Sequence, residues 1–399
     1  MAYRLLNKER QIYVREGAEE ALRSVGKLVF DFDGVLVQTE QSYRQTIRKV
    51  VDYYFLKILG LKGEEGKLAD LRDIQKFKDT GRFNNDWNLS YAFIEYYLTL
   101  LMKDLEQKGA LEDFTKRFYN LKFSDIQTFV GSLIEVNKFL RLYDITAADL
   151  ANLKQNGIIS LELFLAQTNI EKQKPVETSL LGVDPEVVID EQRLAKVLLP
   201  FDLEKPDLLK RLFEEIYLGK DLFTKFYCTP SFFGFEESLL DNEQFTCTPE
   251  TLEALRSRFG VFDIYSGRPK TQGMYILEKY DYLRYFDPNG CVFLGDMLSS
   301  EEDMAKLGKP NPTLFVELLQ KTVPDGVGAV YVGDGVADAI LVENARKNGV
   351  EGLCFIGVVS SSEDSNKLFS EYSKHGADAV VTDVNDISIL FSSLGGTVK

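Results

Sequence analysis

Apolar positions crowd into short, nearly unbroken blocks in two parts of the chain. The first is residues 27–37, Lys-Leu-Val-Phe-Asp-Phe-Asp-Gly-Val-Leu-Val, and the others follow residue 255, at 261–265, 290–294, 328–332, 353–358 and 379–381. Blocks that are apolar nearly throughout and rich in Val, Ile and Phe predict strands buried on both faces of a parallel sheet. Between about residues 39 and 249 the spacing changes. Stretches such as 133–140 and 208–217 read with helical periodicity, which predicts a mostly α-helical region. A first strand standing more than half the chain ahead of the second implies an α/β core, residues 27–38 and 250–399, with a large helical cap domain, 39–249, inserted after that strand and above its end. Residues 1–26 carry a weak helical pattern and are expected to form an N-terminal helical extension. Charges, prolines and a glycine at 170–185 predict an internal linker, dividing the insertion into two lobes with an extra part near 125–205.

Composition narrows the chemistry. A chain of 399 residues, 45% hydrophobic and 27% charged, is long enough for two or three globular domains. Its net charge of -15 argues against nucleic acid or an anionic membrane surface as the main partner. No apolar stretch reaches the roughly 18 residues of a spanning helix, and the first residues are polar and charged, unlike a signal peptide, so the expected location is cytoplasmic. Four cysteines (Cys228, Cys247, Cys291, Cys354) show no CxxC spacing, which speaks against a zinc site or a disulfide framework. The single histidine, His375, leaves little room for Ser-His-Asp, Cys-His or His-metal chemistry. Catalysis would fall to carboxylates, hydroxyls and lysine.

The end of the first block supplies carboxylates. Side chains alternate along a strand, so Asp31 and Asp33 leave it on the same side, with Phe32 pointing away. Two carboxylates that close repel each other, and a hard, oxygen-seeking cation such as Mg2+ would relieve the repulsion. Gly34 permits a tight turn whose main-chain N–H groups can approach an anion. Ser266, followed by Gly267 and Arg268, ends a later block, where a hydroxyl can bind a phosphate oxygen or simply cap a helix. Lys309 stands in a Lys-Pro-Asn-Pro loop before a helix. Gly333-Asp334-Gly335-Val336-Ala337-Asp338 ends another block with two more carboxylates. Its G-x-G spacing suggests half of a dinucleotide fingerprint, but Asp338 occupies the third glycine's position and would repel a pyrophosphate. A turn built to hold a divalent cation fits better.

In this order, Asp31-Phe32-Asp33-Gly34-Val35, Ser266, Lys309 and Gly333 to Asp338 resemble the four motifs of the haloacid dehalogenase superfamily of phosphohydrolases. The resemblance covers about residues 27–40 and 250–399 and implies a Rossmann-like, doubly wound sheet with a helical cap after the first motif. It also implies that Asp31 is the nucleophile that forms an aspartyl-phosphate and that Asp33 is the general acid and base. Mg2+ would be held by Asp31, the main-chain carbonyl of Asp33 and Asp334, with Asp338 farther out. Ser266 and Lys309 would bind phosphoryl oxygens, with Gly34, Gly267 and Arg268 completing the phosphate-facing set. The implied activity is hydrolysis of a small phosphorylated metabolite. A phosphosugar mutase uses the same motifs and stays open as an alternative. A receiver-like phosphorylated signalling protein fits less well, because such domains lack a cap and carry the phosphorylated Asp on a later strand.

Specificity is expected in the insertion. Its most unusual segment, residues 81–89, holds the only tryptophan, Trp87. Arg82, Asn84, Asn85 and Asp86 could hydrogen-bond a polar substrate there. The competing reading has Asn85 or Asp86 capping the following helix while Trp87 packs in the core of the insertion.

Overall fold

The computed structural model describes residues 2–79, 86–118, 126–157, 161, 208–297, 303, 306–362 and 364–395. The chain divides into two units, one formed by Met1–Thr39 with Glu243–Lys399 and the other by Glu40–Asn242.

The first unit is built on one sheet. Its strands are β1 (Tyr3–Asn7), β2 (Ile12–Arg15) and β3 (Val25–Phe30), then, beyond a short ribbon of β4 (Val37–Gln38) and β5 (Gln244–Phe245), β6 (Phe262–Ser266), β7 (Phe286–Phe293), β8 (Gly328–Gly333), β9 (Leu353–Val358) and β10 (Ala379–Val381). The order is β1-β2-β10-β9-β8-β3-β6-β7. From β10 to β7 every neighbouring pair is parallel. Every residue of β6, β8, β9 and β10 is buried, which is why these strands read as unbroken apolar blocks rather than alternating ones.

Helices cover both faces. Val29, Tyr331, Phe355 and Val380 share one core with Phe315, Leu341, Val342 and Tyr372, which come from the helices Thr313–Thr322, Val336–Lys347 and Ser365–Lys374. The alternate positions point the other way: the Phe30 ring meets Phe262, and the helix Pro249–Phe259 packs on β3 and meets the helix Asp386–Ser393 through Phe259 and Phe391. This is a Rossmann-like, doubly wound core with a large, mainly α-helical insertion after its first parallel strand. The chain runs outward in opposite directions from β3, toward β7 on one side and β10 on the other. The crevice where that direction reverses lies between β3 and β8, at their carboxyl ends.

The N-terminal residues depart from expectation. In place of a helical extension, β1 and β2 form an antiparallel hairpin whose second strand pairs with the sheet edge at β10, and only Glu19–Ser24 is helical. Ile12 and Val14 are buried while Tyr13 and Arg15 are only partly so, the alternation of a strand with one covered face. Four residues are too few for that period to stand out from a weak helical one. The hairpin belongs to the core unit and covers the sheet edge that β10 would otherwise expose.

Among the described residues the named elements of the second unit are all helices. Its longest helices are Asp86–Gln107, Ile126–Leu142 and Leu208–Tyr227, with shorter ones at Gln45–Asp52, Leu71–Asp79, Leu111–Phe118 and Ala147–Gln155. Thr146 starts the last of these with a reciprocal cap, its Oγ1 accepting from Asp149 N while Asp149 accepts from Thr146 N. The core of this unit is aromatic, with Tyr54, Phe55, Tyr96, Tyr97 and Tyr217 fully buried. The expected linker at 170–185 and most of the extra part near 125–205 lie outside the described residues. Among the described residues no helix is long and apolar enough to cross a membrane.

Candidate active site

Register brings the motifs together. Phe30, the last residue of β3, pairs with Val332 on one side and Ile264 on the other, so β8 and β6 end one and two residues beyond it and the three carboxyl ends lie close together. Asp31 N donates to Val332 O at 2.8 Å, carrying the alignment one residue past the strand. The chain then turns sharply: Gly34 N donates to Val37 O at 2.9 Å and Val37 N to Phe32 O at 3.0 Å. Gly34 takes φ +75°, and a Cβ there would stand 1.8 Å from Asp334 Oδ2. Glycine is therefore needed twice over, for the left-handed backbone and for the close passage of the β8 carboxylate.

Lys309 ties the acidic groups to one another. Its Nζ lies 2.8 Å from Asp31 Oδ2 and 3.0 Å from Asp338 Oδ1, in a loop where the Lys309–Pro310 bond is cis. Asp31 Oδ1 accepts from Phe32 N at 2.7 Å. Asp338, on the first turn of the helix Val336–Lys347, also accepts from Gly335 N at 3.0 Å, and Tyr331 Oη lies 3.2 Å from its Oδ1. The sequence-distant residues Asp31, Lys309, Asp334 and Asp338 thus form one cluster.

Charge within the cluster is unbalanced. Burial pushes the Asp31 carboxyl well above the usual carboxylate range; Lys309 opposes the shift, and the charges of Asp338 and Asp334 add to it. Asp334 is pushed up to about 7, first by burial and then by Asp338, against a hydrogen bond from Ser361 and the charge of Lys309. Burial alone would depress Lys309, but Asp31 and Asp338 outweigh it and raise its pKa.

The residues fit a divalent cation. One carboxylate oxygen from each of Asp31, Asp334 and Asp338 lies within 4.8 Å of the others. An all-oxygen, carboxylate-rich donor set suits a hard cation such as Mg2+, and a second positive group would relieve the crowding that Lys309 alone does not balance.

Ser266 ends β6 and is fully buried. It does not cap a helix, because the next one, Lys270–Lys279, starts four residues later; its Oγ accepts from Arg268 N at 3.2 Å. Gly267 beside it is exposed. Arg268, expected to face phosphate, instead places its guanidinium between two carboxylates. Nε and Nη2 reach Asp33 Oδ1 at 2.9 and 2.5 Å, while Nη1 and Nη2 reach Glu243 Oε2 and Oε1 at 2.7 and 3.1 Å. Glu243, Ser361 and Tyr331 carry no motif signal in the sequence. Each belongs to the site only because the fold delivers it there.

Of the candidate contacts in the insertion, Arg82, Asn84 and Asn85 lie outside the described residues. Asp86 opens the helix Asp86–Gln107, and its main-chain carbonyl accepts from Ser90 Oγ at 2.9 Å. Trp87 packs within the helical unit: Nε1 donates to Glu214 Oε1 at 2.8 Å, and Lys210 Nζ stands 4.1 Å from its ring centroid.

No family model matches the chain, and no curated protein does. Among solved structures, one determined by X-ray diffraction as a structural-genomics target aligns with a TM-score of 0.58 at 20% identity, over 93% of this chain and 99% of its own. This likeness is one of fold. A phosphatase from Thermococcus thioreducens (TM-score 0.43, 20% identity, 88% and 99% of the two chains) and a HAD-family hydrolase from Deinococcus radiodurans R1 with bound phosphate and sodium (0.42, 14%, 94% and 97%) align more loosely.

Proposed function

We propose that this chain is a Mg2+-dependent phosphatase of the haloacid dehalogenase superfamily that hydrolyses a small organic phosphomonoester. The observation that carries the reading is the Lys309 ammonium, which joins the carboxylate after β3 to the carboxylate after β8 at the crevice of a doubly wound sheet.

In this reading Asp31 is the nucleophile. Its Oδ1 is held by Phe32 N and its Oδ2 by Lys309, so the carboxylate is fixed before substrate arrives. Attack on phosphorus forms the Asp31 O–P bond as the P–O bond to the alcohol breaks, and Asp33 gives its proton to the departing oxygen. Asp33 then takes a proton from the water that cleaves the aspartyl-phosphate, which returns Asp31 to its free form. Lys309 and the Ser266 hydroxyl bind phosphoryl oxygens and offset the negative charge that gathers there. Asp31, the main-chain carbonyl of Asp33 and Asp334, with Asp338 farther out, would hold Mg2+, and the ion would supply positive charge for the approach of a phosphate dianion to a carboxylate. Asp338, already committed to Lys309 and Gly335 N, serves mainly to aim the lysine. Contacts to the rest of the substrate are assigned to the insertion, with Arg82, Asn84, Asn85 and Asp86 as candidates.

Phosphate release from a panel of phosphorylated metabolites with Mg2+, run beside Asp31→Asn, tests the assignment. Turnover by the native chain and a loss of at least about 10³-fold in the variant is expected, the scale of removing a covalent nucleophile. Equal release by both proteins would refute it. Phosphate returned to the substrate under a bisphosphate activator, in place of release, would identify a mutase.

A further inference from the structure

We propose that Arg268 and Glu243 are positioning residues for Asp33: Glu243 fixes the guanidinium, and the guanidinium fixes the carboxylate that handles the proton. The proposal rests on the role given to Asp33 above.

The geometry is specific. The Arg268 side chain has no solvent exposure, nor has that of Glu243, whereas the Asp33 side chain keeps 31% of its surface open. Both guanidinium contacts with Asp33 fall on the same oxygen, Oδ1. Among the described residues Oδ2 accepts no hydrogen bond, which leaves it as the oxygen that gives and takes the proton. Glu243 grips the other edge of the guanidinium through both of its oxygens. The plane is held from a third direction by Phe32, whose ring centroid lies 5.1 Å from Arg268 Cζ. With four of its N–H donors engaged on two carboxylates the guanidinium is restrained in its plane, and so is the Asp33 carboxylate that it holds.

The pairing also answers a problem of charge. A buried guanidinium satisfied by Asp33 alone would commit its whole charge to that carboxylate. Glu243 gives it a second, fully buried partner, and the Arg268–Glu243 pair then presents Asp33 with aligned donors at little net charge. Glu243 is itself anchored next to β5, where its main-chain carbonyl accepts from Tyr280 Oη at 2.8 Å and Phe245 packs on Phe32. Lysine at position 268 would supply one point charge and could not bridge the two carboxylates in a plane.

A test must separate positioning from simple structural support, and leaving-group dependence does so. kcat/KM reports the steps up to departure of the alcohol. Phenolate is a stronger base than p-nitrophenolate and needs the proton from Asp33 more. We expect Arg268→Lys and Glu243→Gln each to lower kcat/KM for phenyl phosphate by at least about tenfold more than for p-nitrophenyl phosphate, the scale of a misplaced general acid. Equal losses on the two esters, or no loss, in a folded variant would overturn the proposal. Glu243→Gln keeps the side chain's shape and carries the test alone if Arg268→Lys does not fold. Failure of the native chain to hydrolyse either ester, or hydrolysis untouched by Asp31→Asn, would instead bring down the phosphatase reading itself, and this proposal with it.

Discussion

At the residue scale, what matters is how many partners each buried charge has. Asp31, Asp33 and Asp338 each have a cation within hydrogen-bond distance. Asp52, in the helical unit, is less well served. Its Oδ2 accepts from Gly66 N at 2.7 Å, but its Oδ1 is buried with no hydrogen-bond partner among the described residues. Burial pushes its pKa up to about 6, and the Gly66 N–H and Arg48 only partly oppose the shift. A carboxyl group raised in the folded state binds its proton more tightly there than in the unfolded chain. Its contribution therefore weakens as pH rises from about 4 to about 6, and the penalty is complete above that window. Asp52→Asn removes the charge and keeps an acceptor for Gly66. The variant should be more stable than the native chain at pH 8, by about 1 kcal/mol once solvent screening is allowed for, and no more stable at pH 4. Urea unfolding at the two pH values measures the difference; an equal gain at both would show that charge is not the cause.

At the element scale, one glutamate ties the helix Leu208–Tyr227 to the segment that follows it. The helix Leu208–Tyr227 is interrupted at Gly219, where φ is +67° and a Cβ would stand 2.9 Å from Glu237 O. One turn earlier Glu215, with no side-chain exposure, accepts from Ser231 Oγ at 2.5 Å, Phe232 N at 2.8 Å, Phe233 N at 2.7 Å and Arg211 Nε at 2.8 Å. Burial works against the ionised form, but these donors together hold its carboxyl below the usual range. A depressed carboxyl contributes stability above the unfolded value near pH 4, and the contribution is lost as pH falls through the folded value. Glu215→Gln places an amide N–H against backbone donors and should cost about 2–4 kcal/mol at pH 7, by the cost of breaking charge-assisted hydrogen bonds. The gap between variant and native chain should close below pH 4; a gap of constant size would mean that the ionised form is not what the donors hold. This hub was not legible beforehand, since Phe232 and Phe233 are recruited through their backbone, and backbone donors leave no mark on a sequence. Strands with both faces covered were legible, because burial on two sides imposes apolar residues at every position, as in β8 and β9. The N-terminal hairpin was not, because its four-residue strand with one covered face shows too few periods. The same contrast divides the site: Asp31, Lys309 and Asp334 stand at strand ends and loops with a recognisable order, while Glu243 is one of several acids in its stretch and its partner lies 25 residues away.

At the scale of the whole molecule, the core unit is built around a charge imbalance that a bound cation would resolve. Asp31, Asp33, Asp334, Asp338 and Glu243 stand at one end of the sheet against Lys309 and Arg268, and the glycine at position 34 lets Asp334 come close. A divalent ion bound there would offset the repulsion among these carboxylates, and the three carboxylates that could hold it come together only in the folded chain. Two effects of opposite sign should follow in the same variant. Asp334→Asn removes one of the crowded charges at nearly constant shape, so the metal-free variant should melt above the temperature of the metal-free native chain. Added Mg2+ should then stabilise the native chain, by about 2.7 kcal/mol at a hundred times its dissociation constant, and should stabilise the variant far less because an anionic ligand is gone. Mg2+ titrations of the core melting transition, with chelator as the reference, measure both. The order of the two melting curves should reverse between chelator and saturating Mg2+, and curves that keep one order under both conditions would place the cation away from Asp334.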